Sequence, residues 1–160
     1  MLKVNVICVG KLKEKYLKDA VNEYSKRLGT FCKFSVVEVE EEKESSSPSD
    51  SEISKILSVE GKRILSYIDK NDLVVAMCIE GKQMPSEKFA DYISSSAVDG
   101  ISKIDFVIGG SRGLSDEVKN RAKLRMSMSE MTFPHQLARV MLCEQIYRAF
   151  SIAGGTKYHK

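Results

Sequence analysis

Histidine occurs only twice in this chain of 160 residues, tryptophan not at all and proline three times. The scarcity of histidine leaves His135 and His159 as the imidazoles able to move a proton near neutral pH. The four cysteines, Cys8, Cys32, Cys78 and Cys143, each stand alone inside an apolar run, with neither a Cys-x-x-Cys pair nor a Cys/His ligand spacing. They read as buried reduced thiols, so neither a metal site nor thiol catalysis is expected. No apolar run reaches the roughly 18–20 residues that span a bilayer. The first apolar stretch, residues 2–9, is too short for a secretory segment and is interrupted by Lys3 and Asn5. A cytoplasmic protein without membrane contact is expected. The chain has no G-x-G-x-x-G, no Walker loop, no internal repeat and no visible domain boundary. Residues 1–160 are expected to form a single domain.

What the chain does have is an ordinary apolar fraction and an uneven charge. Hydrophobic residues make up 42%, enough for a real core at this length. The net charge is +3, but residues 1–33 carry eight Lys/Arg against three Asp/Glu, residues 38–60 two against eight, and residues 101–160 ten against five. Such segregation suits a basic surface for a polyanion beside an acidic segment, and equally suits ordinary solvated faces.

Strand and helix signals alternate along the chain. Residues 3–9 are dense in valine and isoleucine and close at Gly10, a first strand. Tyr16, Leu17, Ala20, Val21, Tyr24 and Leu28 recur at helical spacing, with Gly29 as the stop. Residues 31–39 read as a second strand. The acidic, serine-rich stretch 40–51, with Pro48, is expected to be a mobile surface loop. Residues 53–68 carry a second helical pattern, and 73–79 a short apolar strand covered on both faces. Pro85 and Ser86 open a third helix. Residues 104–108 form a buried strand that runs into Gly109-Gly-Ser-Arg-Gly113. Ser115 starts a short fourth helix and residues 124–128 a fifth strand. This alternation predicts an α/β fold, an open, mostly parallel sheet flanked by helices. In such sheets ligands gather beyond the carboxyl ends of the strands. That brings residues 77–83, 109–113 and 128–133 together around a small-molecule pocket. Glycine in the middle segment permits positive φ and close approach of a ligand; a tight strand-to-helix connection needs it just as much.

The last helix, residues 134–152, is unusual. Pro134 fits a first helical turn, where its missing N–H would have no helical partner, and Thr132 is the expected N-cap. Ala138, Leu142, Ile146, Ala149, Phe150 and Ala153 make one stripe, while Leu137, Val140, Met141 and Tyr147 cover much of the rest. A helix apolar around most of its circumference packs on two sides, so a second copy of the chain is expected against it. His135, Arg139, Glu144 and Arg148 on the same helix indicate that it borders a site.

Phe133-Pro-His-Gln136, Arg139-Val140 and Glu144-Gln-Ile-Tyr-Arg-Ala-Phe150 closely resemble the C-terminal signature of the RlmH family. These are SPOUT-type methyltransferases that modify a pseudouridine in large-subunit ribosomal RNA. Val9-Gly-Lys-Leu-Lys-Glu-Lys-Tyr16, Phe106-Val-Ile-Gly-Gly-Ser111 and the ending Tyr158-His159-Lys160 extend the resemblance over essentially the whole chain. It implies a SPOUT-type fold with a C-terminal trefoil knot, and a homodimer. It also implies S-adenosylmethionine held in a bent shape, largely by backbone groups of Met77, Gly109, Met128, Ser129, Glu130, Met131, Thr132 and Phe133. Met77 stands where the family usually has leucine, and Cys78 where an acidic residue is common; neither matters to binding through the backbone.

The same resemblance implies methyl transfer to N3 of the pseudouridine, on the assembled ribosome. N3 carries a proton that must leave, and a general base contributes about 10²–10⁴-fold. The family's ending is part of its signature, so His159 is expected to accept or relay that proton and Tyr158 to stack on or position the base, reaching a partner subunit. A C-terminal tail is otherwise a common place for disorder, and a histidine placed like His135 serves structure as often as catalysis. Arg112, Arg139, Arg148 and Lys160 are expected to meet RNA phosphates, which makes binding salt-dependent. Lys11, Lys13 and Lys15 fit a solvated helix end better. Two other functions stay compatible with the sequence: a ribosome-associated binding protein without turnover, and a flavodoxin-like nucleotide-binding module.

Overall fold

Ten elements alternate in a computed structural model: β1 (Lys3–Val9), α1 (Lys15–Leu28), β2 (Lys33–Val39), α2 (Asp50–Leu65), β3 (Leu73–Lys82), α3 (Ser86–Val98), β4 (Lys103–Ile108), α4 (Asp116–Arg121), β5 (Leu124–Met126) and α5 (His135–Ala153). Residues 1–159 are described; Lys160, one of the expected RNA contacts, lies outside the described residues. The five strands form one sheet in the order β2-β1-β4-β3-β5, every neighbouring pair parallel. The α/β reading holds. The flavodoxin-like alternative does not, because that sheet runs 2-1-3-4-5 and here β4, not β3, lies beside β1.

Side-chain alternation along β1 divides the core. Val4, Val6 and Cys8 face α1, α3 and α5, packing with Leu17, Val21, Phe89, Ile93, Leu142 and Ile146. Ile7 and Val9 face the opposite layer, with Ile64 of α2 and Val118 of α4. Each fully buried aliphatic of this kind stabilises by about 1.5–3 kcal/mol. Ser49 and Ser115 start α2 and α4 by accepting the backbone N–H of Glu52 and Val118. The N-cap of α5 is Pro134, not Thr132: Pro134 has a non-helical backbone (φ −54, ψ 136) and no side chain caps the helix.

The acidic stretch before α2 is tied down rather than loose. Glu42 pairs with Arg63 at 2.7 Å, its N–H donates to Glu60 at 3.0 Å, and Glu44 accepts two bonds from Arg112 at 3.2 Å each. The helix also begins at Asp50, inside the stretch expected to be loop.

At the amino ends of the strands a carboxylate pair is buried. Asp105 is 0% exposed and accepts from Asn5 Nδ2 at 3.1 Å. Its Oδ2 meets no donor, while Lys103 Nζ lies 2.8 Å from Asp72, 3.4 Å from Asp69 and 3.9 Å from Asp105. Burial, then Asp72 as hydrogen-bond partner and as like charge, push the Asp105 carboxyl up to about 7. Asp72 is held low in spite of burial, by hydrogen bonds from Asp105 and Lys103. A proton on Asp105 is the donor this arrangement otherwise lacks. The unfolded carboxyl releases it near pH 4, so stability from this group is complete below about pH 4 and is lost as pH rises to about 7. Asp72, shifted the other way, loses its contribution only in stronger acid. Asp105→Asn donates to Asp72 at every pH. It is expected to remove a decline of up to about 1.4 kcal/mol per pH unit between pH 5 and 7. Urea unfolding midpoints of parent and variant across that range provide the check.

Candidate active site

Beyond the carboxyl ends of β3, β4 and β5 lies a cavity of about 730 Å³, walled by the three segments that the sequence groups together. Met77, Gly109, Met128, Ser129, Met131, Thr132 and Phe133 all line it. Glu130 does not; it is exposed on the outside of the turn. The shape follows from local chain geometry. The pairing of β3 with β5 breaks register between Met77 and Lys82, so residues 78–81 swing outward before Lys82 rejoins Met126. Gly81 lies so close to the Met126 backbone that a Cβ would sit 2.6 Å from its carbonyl carbon. Across the cavity, Gly113 takes φ +85 and bridges back to Gly110, and a Cβ on Gly109 would run into the Gly113 carbonyl. That turn closes on itself only with glycine. The third wall is stiffened by its serines: Ser127 Oγ donates to the Ser129 carbonyl at 2.9 Å, and Ser129 Oγ accepts from Met131 N at 3.0 Å.

Charged and titratable side chains also line the cavity. Lys119 Nζ lies 2.5 Å from Glu80 Oε1, and both line the cavity. Arg112 lines it while bound to Glu44. His135 is half-buried there; burial holds its imidazole below the usual value, opposed by Glu41 and assisted by Arg139 and Lys13. Cys78 also lines the cavity, half-buried rather than buried as expected, and burial followed by the Glu80 charge raises its thiol, so it is no thiolate at neutral pH. The contribution of Lys119 carried no signal in the sequence, because a lysine on a short amphipathic helix looks like any solvated one.

Two expected site residues stand elsewhere. Tyr158 and His159 line no part of the cavity in their own chain. Tyr158 packs edge-on against Tyr147 with centroids 4.8 Å apart, Arg148 lies 4.9 Å from its ring centre, and its hydroxyl donates to Glu144 at 3.3 Å. Burial, with help from Tyr24 and the Glu144 charge, pushes that phenol up to about 12. His159 meets Arg148 through Nδ1 at 3.0 Å and Glu87 through Nε2 at 2.8 Å. An arginine can only donate, which puts the ring proton on Nε2. The tail thus lies along α3 and α5, beside a second cavity of about 430 Å³ that Glu144 helps to line and that shares Met126, Ser127 and Met128 with the first.

Arg139 requires a correction. It is 1% exposed, pairs with Glu38 at 2.5 Å and donates to the Gly10 carbonyl at 3.0 Å. A guanidinium enclosed and engaged in this way is a structural anchor, not a phosphate contact. Arg112 and Arg148 keep exposed surface but are paired with Glu44 and Glu144. Among the described residues no helix is long and apolar enough to cross a membrane, and no three His, Cys, Asp or Glu are grouped to hold a metal ion.

Sheet order, glycine-closed turn and strand-end cavity place the chain in a definite class. It belongs to the SPOUT methyltransferases: residues 2–159 match the family described as "Predicted SPOUT methyltransferase". Its relatives include the ribosomal RNA large subunit methyltransferase H of Streptococcus pneumoniae strain CGSP14, 52% identical over 159 residues that span 99% of this chain and 100% of the relative. The proteins of that name from strains TIGR4 and D39 show the same identity and coverage. A solved structure, a probable methylase family protein from Haemophilus influenzae Rd KW20, superposes with a TM-score of 0.54 over 98% of this chain and 70% of that one. At 13% identity it is a likeness of fold alone.

Proposed function

We propose that the chain transfers a methyl group from S-adenosylmethionine to N3 of a pseudouridine in large-subunit ribosomal RNA, in the cytoplasm, on the assembled ribosome and as a homodimer. The observation that carries this reading is the glycine-closed cavity, built from the segments the family resemblance assigns to the donor, in a chain 52% identical to proteins named ribosomal RNA large subunit methyltransferase H. The cavity suits the donor on its own features. Its volume lies within the roughly 300–1,000 Å³ usual for ligand sites; Met77, Ile108, Met128 and Phe133 give it apolar walls, and Gly109, Ser129, Met131 and Thr132 line the rest of the donor segment. A C-terminal trefoil knot belongs to the same proposal, as does chemistry without a metal.

Bound there, the donor supplies a methyl already activated on a sulfonium. The protein then has to hold the acceptor within about 3–3.5 Å and in line. Backbone groups of Met77, Gly109, Met128, Ser129, Met131, Thr132 and Phe133 do the holding, with Glu130 outside. Tyr158 and His159 lie away from their own cavity, so on this reading they act at the cavity of the partner subunit, where His159 takes or relays the N3 proton and Tyr158 positions the base. Arg112 and Arg148 meet phosphates by exchanging their carboxylate partners.

The test is incorporation of labelled methyl from S-adenosylmethionine into ribosomes purified from a strain lacking the modification. Label at one pseudouridine of the large-subunit RNA is expected, and ribosomes left unlabelled by a folded, donor-binding protein reject the proposal. Gly109→Ala pushes a methyl into the Gly113 backbone and is expected to weaken donor binding by at least about tenfold, a loss of roughly 1.4 kcal/mol. Calorimetric titration measures it.

A further inference from the structure

One ion pair on the cavity wall stands apart from the backbone run that would hold a nucleoside. Lys119, on α4, reaches Glu80 near the end of β3 with an Nζ–Oε1 distance of 2.5 Å, and both residues line the cavity. The lysine side chain is 20% exposed and the glutamate 54%. An ion pair whose carboxylate stands half in water adds little to stability, and its position facing the cavity offers another role. Arg112, the other cation on this wall, is committed to Glu44. A lysine ammonium has three donors and a carboxylate two acceptor oxygens; each partner here spends one on the other. What remains is a cationic donor beside an anionic acceptor, the complement of an α-amino-acid zwitterion. Apolar side chains such as Met128 and Phe133 offer nothing comparable to such a group.

We propose that Lys119 and Glu80 bind the amino-acid end of the methyl donor, Lys119 donating to its carboxylate and Glu80 accepting from its ammonium. This rests on the reading of the cavity as the donor site and deepens it. Adenosine contacts come from backbone groups, whereas the charged pair selects nucleosides that carry an amino acid over those that do not. Glu80 is suited to the task, since its hydrogen bond from Lys119 holds its carboxyl below the usual range and keeps it ionised.

The experiment is calorimetric titration of the full chain with S-adenosylhomocysteine and with methylthioadenosine, two thioether nucleosides that differ in the amino-acid end. The parent is expected to bind the former at least about tenfold more tightly, the scale of charge-assisted hydrogen bonds. Lys119→Met should abolish most of that preference while methylthioadenosine affinity stays within about twofold; Lys119→Arg should retain it and Glu80→Gln should reduce it. The inference is overturned if the folded Lys119→Met and Glu80→Gln proteins both keep the parental preference, or if the parent binds the two nucleosides equally. A parent that binds neither removes the donor reading along with it.

Discussion

Arg139→Met is expected to lower stability by about 3 kcal/mol, the cost of breaking a buried ion pair, or roughly 6–12 °C in Tm for a chain of this size. The guanidinium is 1% exposed and joins α5 to the loop after β1 and to β2, through Gly10 and Glu38. Its Nε has no partner, so the site is already short of one bond. Methionine fills most of the volume and makes none of the bonds. It leaves the Gly10 carbonyl without this donor, and Glu38 with only the Leu12 N–H at 3.2 Å. Glu38 keeps 36% of its side-chain exposure, and water there limits the loss to the lower part of the usual range. Glu38→Gln should also destabilise, because the enclosed guanidinium then loses its countercharge. The double variant should lose less than the sum of the two singles, since each single strands the other partner. Thermal and urea unfolding of the four proteins measure this cycle. An unchanged Tm for Arg139→Met would show that the anchor is dispensable.

That one arginine also marks where sequence reasoning stops. Periodicity located β1, α1 and α5 to within a residue or two, because valine, leucine and isoleucine spacing reports directly on burial. The cavity was legible for the same reason: the strand-end rule needs only the order of strands and loops. Charge carries no such record. Arg112, Arg139 and Arg148 look alike in the sequence, yet one is enclosed while the others pair across the surface. Their partners Glu44, Glu38 and Glu144 lie 68, 101 and four residues away. Only the last separation can be read from helical spacing. The acidic stretch failed for a related cause. Its serines and proline signal a loop correctly, but Arg63 and Arg112, which pin it, come from α2 and the glycine-rich turn.

Deleting residues 158–160 is expected to cut the methylation rate by about 10²–10⁴-fold, the range of a lost general base, with donor affinity within about twofold of the parent. The split follows from the proposed roles: backbone groups of Met77, Gly109, Met128, Ser129, Met131, Thr132 and Phe133 hold the donor, while His159 and Tyr158 act on the base. His159→Gln should reproduce most of the rate loss. Tyr158→Phe keeps the ring against Tyr147 and Arg148 and gives up only the long bond to Glu144, so its effect should be small. Both imidazole nitrogens of His159 are engaged, by Arg148 and Glu87, and on the proposed role the ring leaves them to accept a proton. If His159 takes the proton as proposed, Arg148 and Glu87 compete with that role, and Glu87→Gln should leave the rate unchanged or raise it. Mixing decides which subunit the tail serves. A Gly109→Ala chain has a tail but a spoiled cavity; a His159→Gln chain has a cavity but a spoiled tail. If tails cross a two-fold dimer, equal mixing with free exchange makes half the dimers mixed and gives each mixed dimer one intact composite site, restoring about a quarter of the parental rate. If each tail serves its own cavity, the mixture stays as inactive as its components, and the intersubunit role of His159 is wrong.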